Sequence, residues 1–181
     1  YGADTVVRVD PRTNQVVATI SGLPHGPAGL VEAAGALWVA CSRADEVVRI
    51  DPGTNQVTAA IAAGHEPVGI AAGFQSVWVH DENEERAGSV TRVDTASGRV
   101  TATVPVGMEA GRDGLDGLAV TSRGIWVPGA QVERIDPGQG RVVERADHPA
   151  NALFAGDGSL WAVDLAYSVT RLVEPGASPP R

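Results

Sequence analysis

The amino-acid sequence predicts an all-β fold, because three short apolar patterns recur in the same order about every 40 residues. The first pattern is "VVRIDPGTNQV" at 47–57, which is repeated almost unchanged at 6–16. The second is a tryptophan among aliphatic residues, as in "ALWVA" at 36–40, and the third is a glycine-rich stretch such as "PVGIAAGFQ" at 67–75. Each pattern is short, rich in strand-forming residues and bounded by turn formers, and none has a helical period. We therefore expect many short strands and almost no helix.

The spacing of the repeat points to one architecture. The aspartates of the first pattern are separated by 41, 43 and 42 residues and are Asp10, Asp51, Asp94 and Asp136. Four strands in about 40 residues make one blade of a β-propeller, whereas a sandwich or barrel has no such fixed period. We name the strands of a blade A (the glycine-rich pattern), B (the tryptophan pattern), C (the pattern ending in Asp) and D (the run that follows).

The most conspicuous string encodes the hairpin between strands C and D. In "RIDPGTNQV", Pro52 presets φ for a turn, and the Asp51 side chain can accept a hydrogen bond from the backbone of that turn. Asn55 or Gly53 supplies the positive φ that such a turn requires. The repetition of this string is therefore predicted to be architectural.

The predicted organisation is a single repeat domain over residues 1–175, followed by a proline-rich tail at 176–181. The predicted units are strands C and D at 5–22, blades at 26–64, 67–107 and 114–147, and a partial blade at 149–175. About four blades are present, and propellers protect their strand edges by closing into a ring. The ring could be completed by the remainder of a longer chain, which we favour, or by a second copy in a homodimer. It could also close alone as a small ring.

One stretch carries a resemblance to a known family. The segment "RIDPGTNQVTAAIAAGHEPVGIAAGFQSVWV" at 49–79 resembles the YVTN/YncE-like β-propellers and, more distantly, the virginiamycin B lyase-like propellers. The resemblance extends over about residues 5–175, and it implies a ring of about six to eight blades. Because one fold hosts many functions, it implies little about activity by itself.

Composition excludes some classes of partner. The chain has 22 acidic and 14 basic residues, for a formal net charge of −8. That balance disfavours nucleic acid and anionic membrane surfaces as partners. No apolar run approaches the roughly 18 residues needed to span a bilayer. Cys41 is the single cysteine, so the fold does not depend on an intrachain disulfide.

Two columns of the repeat are predicted to be structural. The strand-B tryptophans are expected to fill the space between neighbouring blades; they are Trp38, Trp78, Trp126 and Trp161. A second column comprises Arg8, Arg49, Arg92, Arg134 and Arg171. Because residues i and i+2 of a strand share a face, we expect the arginines to form ion pairs with the repeat aspartates between blades. An anion-binding ring of arginines is the alternative.

The four histidines are predicted to share one face of the molecule. His25, His65 and His148 fall in connections from strand D to the next strand A, and His80 ends a strand B. In a propeller the D–A and B–C connections emerge on the same face, where ligands commonly bind. We therefore predict a binding site there, made of these histidines with Asp81 and with three residues of the long 108–117 connection, Met108, Arg112 and Asp113. The alternative is that the histidines simply decorate turns.

The same face carries an acidic connection, "HDENEERAG" at 80–88. Asp81 and Glu82, together with Asp113, could bind Mg²⁺ or Ca²⁺ through hard oxygen ligands. The alternative is a solvated acidic loop that binds no metal.

The sequence favours a non-catalytic binding module, extracytoplasmic in location, whose D–A and B–C connections bind a protein or small molecule. A Mg²⁺-assisted lyase or hydrolase, with His80 or His65 as base and Asp81 on the metal, is the alternative. The lyase-like resemblance implies a histidine directly after the proline of a D–A connection, but Ala28, Val68 and Ala150 stand there. A purely structural array of repeats remains a third interpretation.

Overall fold

The computed structural model describes residues 4–81, 88–107, 117–164 and 168–172. These residues form five small antiparallel sheets in succession along the chain. The single helical element among them is one 3₁₀ turn, Ser42–Ala44. The predictions of an all-β fold and of almost no helix are therefore confirmed for the described residues.

Each sheet is built from strands that are consecutive in sequence. The first sheet contains β1 (Val6–Asp10) and β2 (Gln15–Ile20). The second contains β3 (Pro27–Ala33), β4 (Ala36–Cys41), β5 (Glu46–Asp51) and β6 (Gln56–Ala62). The third contains β7 (Pro67–Gly73), β8 (Ser76–Asp81), β9 (Ser89–Asp94) and β10 (Arg99–Pro105). The fourth contains β11 (Ala119–Thr121), β12 (Gly124–Val127), β13 (Val132–Asp136) and β14 (Arg141–Ala146). The fifth contains β15 (Ala152–Gly156), β16 (Ser159–Val163) and β17 (Val169–Leu172).

The sheets stack face to face in chain order. The first strands of the four later sheets lie side by side in space: β3 contacts β7, β7 contacts β11, and β11 contacts β15. Within the described residues, no strand ladder joins the first sheet to the fifth. No helix in the described part of the chain is long and apolar enough to cross a membrane.

The hairpin turns are stabilised by the repeat aspartates, as the sequence predicts. The Asp51 carboxylate accepts a hydrogen bond from the Gly53 N–H at 2.7 Å, and the Asn55 N–H donates to the Asp51 carbonyl at 2.8 Å. Asn55 has a φ of 56°, so it is the residue that takes the left-handed conformation. The Asp136 turn repeats the pattern, since the backbone N–H groups of Gly138 and Gln139 both donate to that carboxylate at 2.8 Å.

A separate apolar cluster fills each of the four interfaces between successive sheets, which we call seams. Trp38, Trp78 and Trp126 are buried in three successive seams, as predicted. The indole N–H of Trp78 donates to the Gly73 carbonyl at 3.1 Å, which satisfies its one polar atom inside the core. Trp161, in the last sheet, is only half-buried.

The predicted ion pairs between the column arginines and the repeat aspartates are not formed among the described residues. The aspartates are occupied by their own turns, as described for Asp51 and Asp136. Three of the arginines, Arg92, Arg134 and Arg171, instead lie over the tryptophans of their own sheets. The Arg92 guanidinium carbon, for example, is 5.1 Å from the Trp78 ring centroid. The prediction of ion pairs was wrong because backbone N–H groups of the same turn, which are close in sequence, donate hydrogen bonds to the aspartate carboxylates.

Because Trp78 is fully buried in a seam, we expect Trp78→Ala to lower the free energy of unfolding by about 3–5 kcal/mol, from lost burial and the cavity left behind. Chemical denaturation measures this loss. Phe74→Ala, which truncates an exposed aromatic ring in the turn between β7 and β8, is the matched control and should cost much less. Equal losses for the two variants would show that the seams do not carry the stability of the array.

Candidate functional site

One edge of the stacked sheets carries both kinds of connection, those between sheets and those between the second and third strands of a sheet. The Ser42 N–H, which follows β4, donates to the Gly26 carbonyl, which precedes β3, at 2.8 Å. One sheet later, the Val106 N–H after β10 donates to the Gly88 carbonyl before β9 at 2.9 Å. We call this surface the connection edge. Its existence confirms that the D–A and B–C connections share one face.

Three of the four histidines lie in connections at this edge. His25 is exposed, and its Nδ1 lies 2.6 Å from a carboxylate oxygen of Asp4. A hydrogen bond from the Gly26 N–H, assisted by His25, holds the pKa of Asp4 below its ordinary value. The His148 carbonyl accepts a hydrogen bond from the Val132 N–H at 3.1 Å. His65 differs from both, because it lines a pocket that also contains Asp81.

The prediction that His80 belongs to the exposed binding face was wrong. His80 lies inside β8, which continues to Asp81, and it is fully buried. Burial lowers its pKa to about 4, so the imidazole is neutral near pH 7. A strand that runs one residue further than its apolar pattern places the histidine in the core, and the pattern gave no sign of this extension.

Four other predicted site residues lie outside the described residues, and they are Glu82, Met108, Arg112 and Asp113. Of the predicted site, the structure therefore brings together His65 and Asp81.

The pocket that holds these two residues has a volume of about 340 Å³ and lies at the seam between the second and third sheets. One wall comes from the end of β6 and the connection that follows it, and the other comes from the third sheet. The lining residues are Ala62, Gly64, His65, Asp81, Ser89, Thr91, Val100 and Thr103. Apart from His65 and Asp81, the polar side chains of this lining are three hydroxyls.

Asp81 is the one acid that lines this pocket, and only 3% of its surface is exposed. The Ser89 hydroxyl donates to Asp81 Oδ2 at 2.5 Å, and the Thr91 hydroxyl lies 3.4 Å from the same oxygen. The other oxygen, Oδ1, has no hydrogen-bond partner within the described residues. A carboxylate lone pair that is buried without a donor carries a desolvation cost.

This burial raises the pKa of Asp81 to about 6. The hydrogen bonds from Ser89 and Thr91 oppose the shift by favouring the charged form, and the positive charge of His65 opposes it further. Near pH 7 most of the Asp81 population is ionised, and the residue presents a negative charge at the buried side of the pocket.

The backbone of Gly64 forms the wall directly against the Asp81 carboxylate. A Cβ atom at this position would overlap the carboxylate, and the Gly64 φ of 83° is unfavourable for any residue with a side chain. Both constraints require glycine here.

The side chains of His80 and Asp81 lie in different seams, because consecutive side chains of a strand point to opposite faces of the sheet. Asp81 faces the seam with the second sheet, where Gly64 lies against it. The His80 ring lies toward Gly88 and Val106 at the other face of the third sheet, which packs on the fourth. The two side chains therefore cannot act on one bound molecule.

Sequence reasoning missed Ser89, Thr91 and Gly64. A signal was present, since the spatial pairing of Asp81 with Ser89 recurs in the fifth sheet, where the Ser168 hydroxyl donates to Asp164 Oδ2 at 2.6 Å. Comparison of the third and fifth repeats at these positions would have identified a polar pair in the connection edge.

The equivalent position in the second sheet holds Cys41, which is fully buried among apolar residues. Burial raises the pKa of the Cys41 thiol to about 11, so the thiol stays protonated and unreactive. The polar pocket at Asp81 is therefore a property of particular repeats, whereas the repeat itself tolerates an apolar side chain at this place.

Among the described residues, no group of three or more His, Cys, Asp or Glu side chains is placed to hold a metal ion. Asp81 is the one predicted metal ligand that these residues include. Within the described residues, the Asp81 pocket offers a metal ion one carboxylate, three hydroxyls and an exposed imidazole.

We expect Asp81→Asn to stabilise the protein at pH 7–8 by about 1–3 kcal/mol, because it removes a buried charge. The folded-state pKa of Asp81, about 6, lies above its ordinary value of 3.8. The folded state therefore binds the proton more tightly than the unfolded state. The destabilisation by the Asp81 charge is absent below about pH 4, increases between pH 4 and about pH 6, and is fully present above that pH. Urea denaturation of both proteins from pH 4 to 8 measures the difference.

The matched control for this experiment is Asp147→Asn, which neutralises an exposed carboxylate of the chain. It should change stability little at any pH. A difference between Asp81→Asn and the wild type that does not vary with pH would contradict the assignment of a raised pKa to Asp81.

No protein-family description and no well-characterised protein sequence matches this chain. Solved structures do match, and one of them is a chain of hydrazine synthase from Kuenenia stuttgartiensis, with 19% sequence identity and a TM-score of 0.62. The match covers 94% of this chain and 60% of that chain, so this chain spans about three fifths of its structural neighbour. The similarity shows a shared fold.

Proposed function

We propose that the chain forms part of a β-propeller and acts as a non-catalytic binding module. Its connection edge takes a small ligand through a primary ammonium group at the Asp81 pocket. The bound group donates hydrogen bonds to Asp81 Oδ1 and places its positive charge beside the carboxylate.

Three features support the propeller. The sheets are built from consecutive strands, the first strands of the four later sheets lie side by side, and a tryptophan is buried in each of three of the four seams. This arrangement is what radial stacking of blades requires, because the inner strands meet around an axis and the faces pack on one another. The repeat length of about 40 residues agrees with one blade.

The observation that carries the binding proposal is the state of the Asp81 carboxylate. It is almost completely buried, it lines a pocket, and its Oδ1 lacks a hydrogen-bond donor among the described residues. Native proteins satisfy most buried polar atoms, so a carboxylate oxygen without a protein donor beside a pocket is a candidate point of ligand contact. A residue that destabilises the folded protein in this way is commonly kept because it contributes to function.

The chemistry of the lining favours a primary ammonium ligand. Asp81 is the one carboxylate of the pocket and is mostly ionised at pH 7, so a cation with N–H donors satisfies both its charge and its free oxygen. The hydroxyls of Thr91 and Thr103 can accept further N–H donors, while Val100 offers an apolar surface for a short carbon chain. The net charge of −8 on the whole chain also favours cations over anions.

The same geometry favours binding over catalysis. A lyase of the metal-assisted type needs a base and a metal ligand at one site. His80 faces the seam opposite to Asp81, and His65 is the one imidazole of the Asp81 pocket. With the described residues alone, the pocket holds one acid and one exposed base but no set of metal ligands.

Isothermal titration calorimetry with ethanolamine tests the proposal directly. We expect wild-type protein to bind ethanolamine at pH 7.5, and Asp81→Asn to weaken the affinity about 10- to 100-fold, as expected for the loss of a charge-assisted hydrogen bond. The affinity should also fall as the pH is lowered from 7 to 5, because protonation of Asp81 removes its charge.

Two controls isolate the interaction. Tetramethylammonium has the charge of ethanolamine but no N–H donor, and it should bind far more weakly. Asp164→Asn removes the corresponding carboxylate of the fifth sheet, which lies outside the Asp81 pocket, and it should leave the affinity unchanged. Equal affinity of wild type and Asp81→Asn for ethanolamine would refute the proposal.

A further inference from the structure

The two ends of the stack of sheets expose apolar faces that are buried everywhere else in it. Val169 of β17 is 66% exposed, whereas its counterparts in the earlier sheets, Val47, Val90 and Val132, are each 0% exposed. Val169, Trp161 and the 69% exposed Phe154 line a depression of about 390 Å³ on the outer face of the fifth sheet. We call this surface the trailing face. It continues the pattern of the internal seams, each of which is closed by another sheet.

The opposite end of the stack has a matching surface. Val7 and Val9 of β1 are 54% and 48% exposed, while their counterparts in the second sheet, Val48 and Ile50, are fully buried against the first sheet. Val16 of β2, which pairs with Val9 of β1, extends this exposed apolar area. We call the surface formed by these three valines the leading face.

A polar contact recurs across the internal seams and gives the stacking a direction. The Arg8 guanidinium of the first sheet donates to the Pro52 carbonyl in the hairpin turn of the second sheet at 3.0 Å. The Arg92 guanidinium of the third sheet donates in the same way to the Pro137 carbonyl of the fourth sheet at 2.9 Å. Both acceptors belong to an Asp-Pro turn.

The seam between the second and third sheets lacks this arginine contact. The hairpin turn of the third sheet reads Asp94-Thr95 and has no proline. Arg49, which would reach this turn from the second sheet, donates instead to the Thr58 hydroxyl of its own sheet at 3.3 Å. Among these three seams, the contact between sheets therefore accompanies the Asp-Pro turn.

One donor and one acceptor of this kind are left over, at opposite ends of the chain. Arg171 is arranged as Arg92 is: its Nε donates to Ser159 Oγ at 2.7 Å, and its guanidinium lies over Trp161 at 5.8 Å. The terminal guanidinium nitrogens of Arg171 have no hydrogen-bond partner within the described residues. The Pro11 carbonyl, in the Asp-Pro turn of the first sheet, likewise accepts no hydrogen bond among those residues.

We infer that the trailing face of one copy binds the leading face of a second copy, with Arg171 donating to the partner's Pro11. Each end supplies what the other lacks: an apolar surface for an apolar surface and an arginine donor for a proline carbonyl. The contact is head-to-tail, so two copies joined at both ends form a closed ring. A ring of two copies presupposes the propeller proposed above and is independent of the Asp81 pocket.

Light scattering coupled to size-exclusion chromatography tests this inference. We expect the wild-type chain to elute with about twice the 18.6 kDa mass of one chain. Phe154→Asp on the trailing face and Val9→Asp on the leading face should each elute as monomers. Both side chains are exposed in the single chain, so neither substitution disturbs its core.

Mixing the two variants distinguishes a head-to-tail contact from a symmetric one. The Val9→Asp copy keeps an intact trailing face and the Phe154→Asp copy an intact leading face, so an equimolar mixture should recover a dimer through one interface. Arg171→Ala should weaken the wild-type dimer about tenfold or more, as expected for a lost charge-assisted hydrogen bond. Phe74→Asp, at an exposed aromatic residue in a turn between strands, should leave the dimer intact.

Three outcomes would overturn the inference. A wild-type chain that is monomeric at tens of micromolar would mean that a second copy is not the occupant of these faces. Failure of the two variants to complement each other would exclude the head-to-tail contact. Species that grow with concentration beyond two copies would exclude a closed ring. If the monomeric variants still bind ethanolamine, the proposal for the Asp81 pocket stands whether or not the chain forms a dimer.

Discussion

Burial of a tryptophan in the seam between two sheets is the interaction on which the rest of this structure depends. Each sheet is too small to bury its own apolar residues, so its stability comes from the sheet stacked on it. Trp78 is completely buried in one seam, and the Arg92 guanidinium lies over its ring and donates a hydrogen bond to the turn of the next sheet. One pair of side chains thus provides both the apolar packing between sheets and a directional polar contact that fixes how they meet.

Apolar packing in the seams also makes the carboxylate in the Asp81 pocket energetically unfavourable. The position of Asp81 is taken by the buried Cys41 in the preceding sheet, where it contributes ordinary apolar packing. A carboxylate at such a place is unfavourable, and burial raises the pKa of Asp81 to about 6 although Ser89 and Thr91 donate to it. The repeat that carries this acid therefore gives up stability at the connection edge.

Much of the fold could be predicted because repetition amplifies weak local signals. The turn at Asp51 and Asn55 was predicted from residue chemistry alone, since both residues act on backbone groups close in sequence. The burial of His80 and the pocket at Asp81 could not be predicted, because they depend on where β8 ends and on which seam each side chain enters. The arginine contacts were mispredicted for a similar reason, as their acceptors lie on a neighbouring sheet more than 40 residues away.

Asp81 is a buried carboxylate whose Oδ1 has no donor among the described residues, and carbon-detected NMR titration of its carboxyl group measures the effect of that burial on its pKa. We expect a pKa of about 6 in the free protein. Saturating ethanolamine should lower that pKa, because an ammonium partner favours the charged form. A pKa near the ordinary value of 3.8 that ethanolamine does not change would contradict the account.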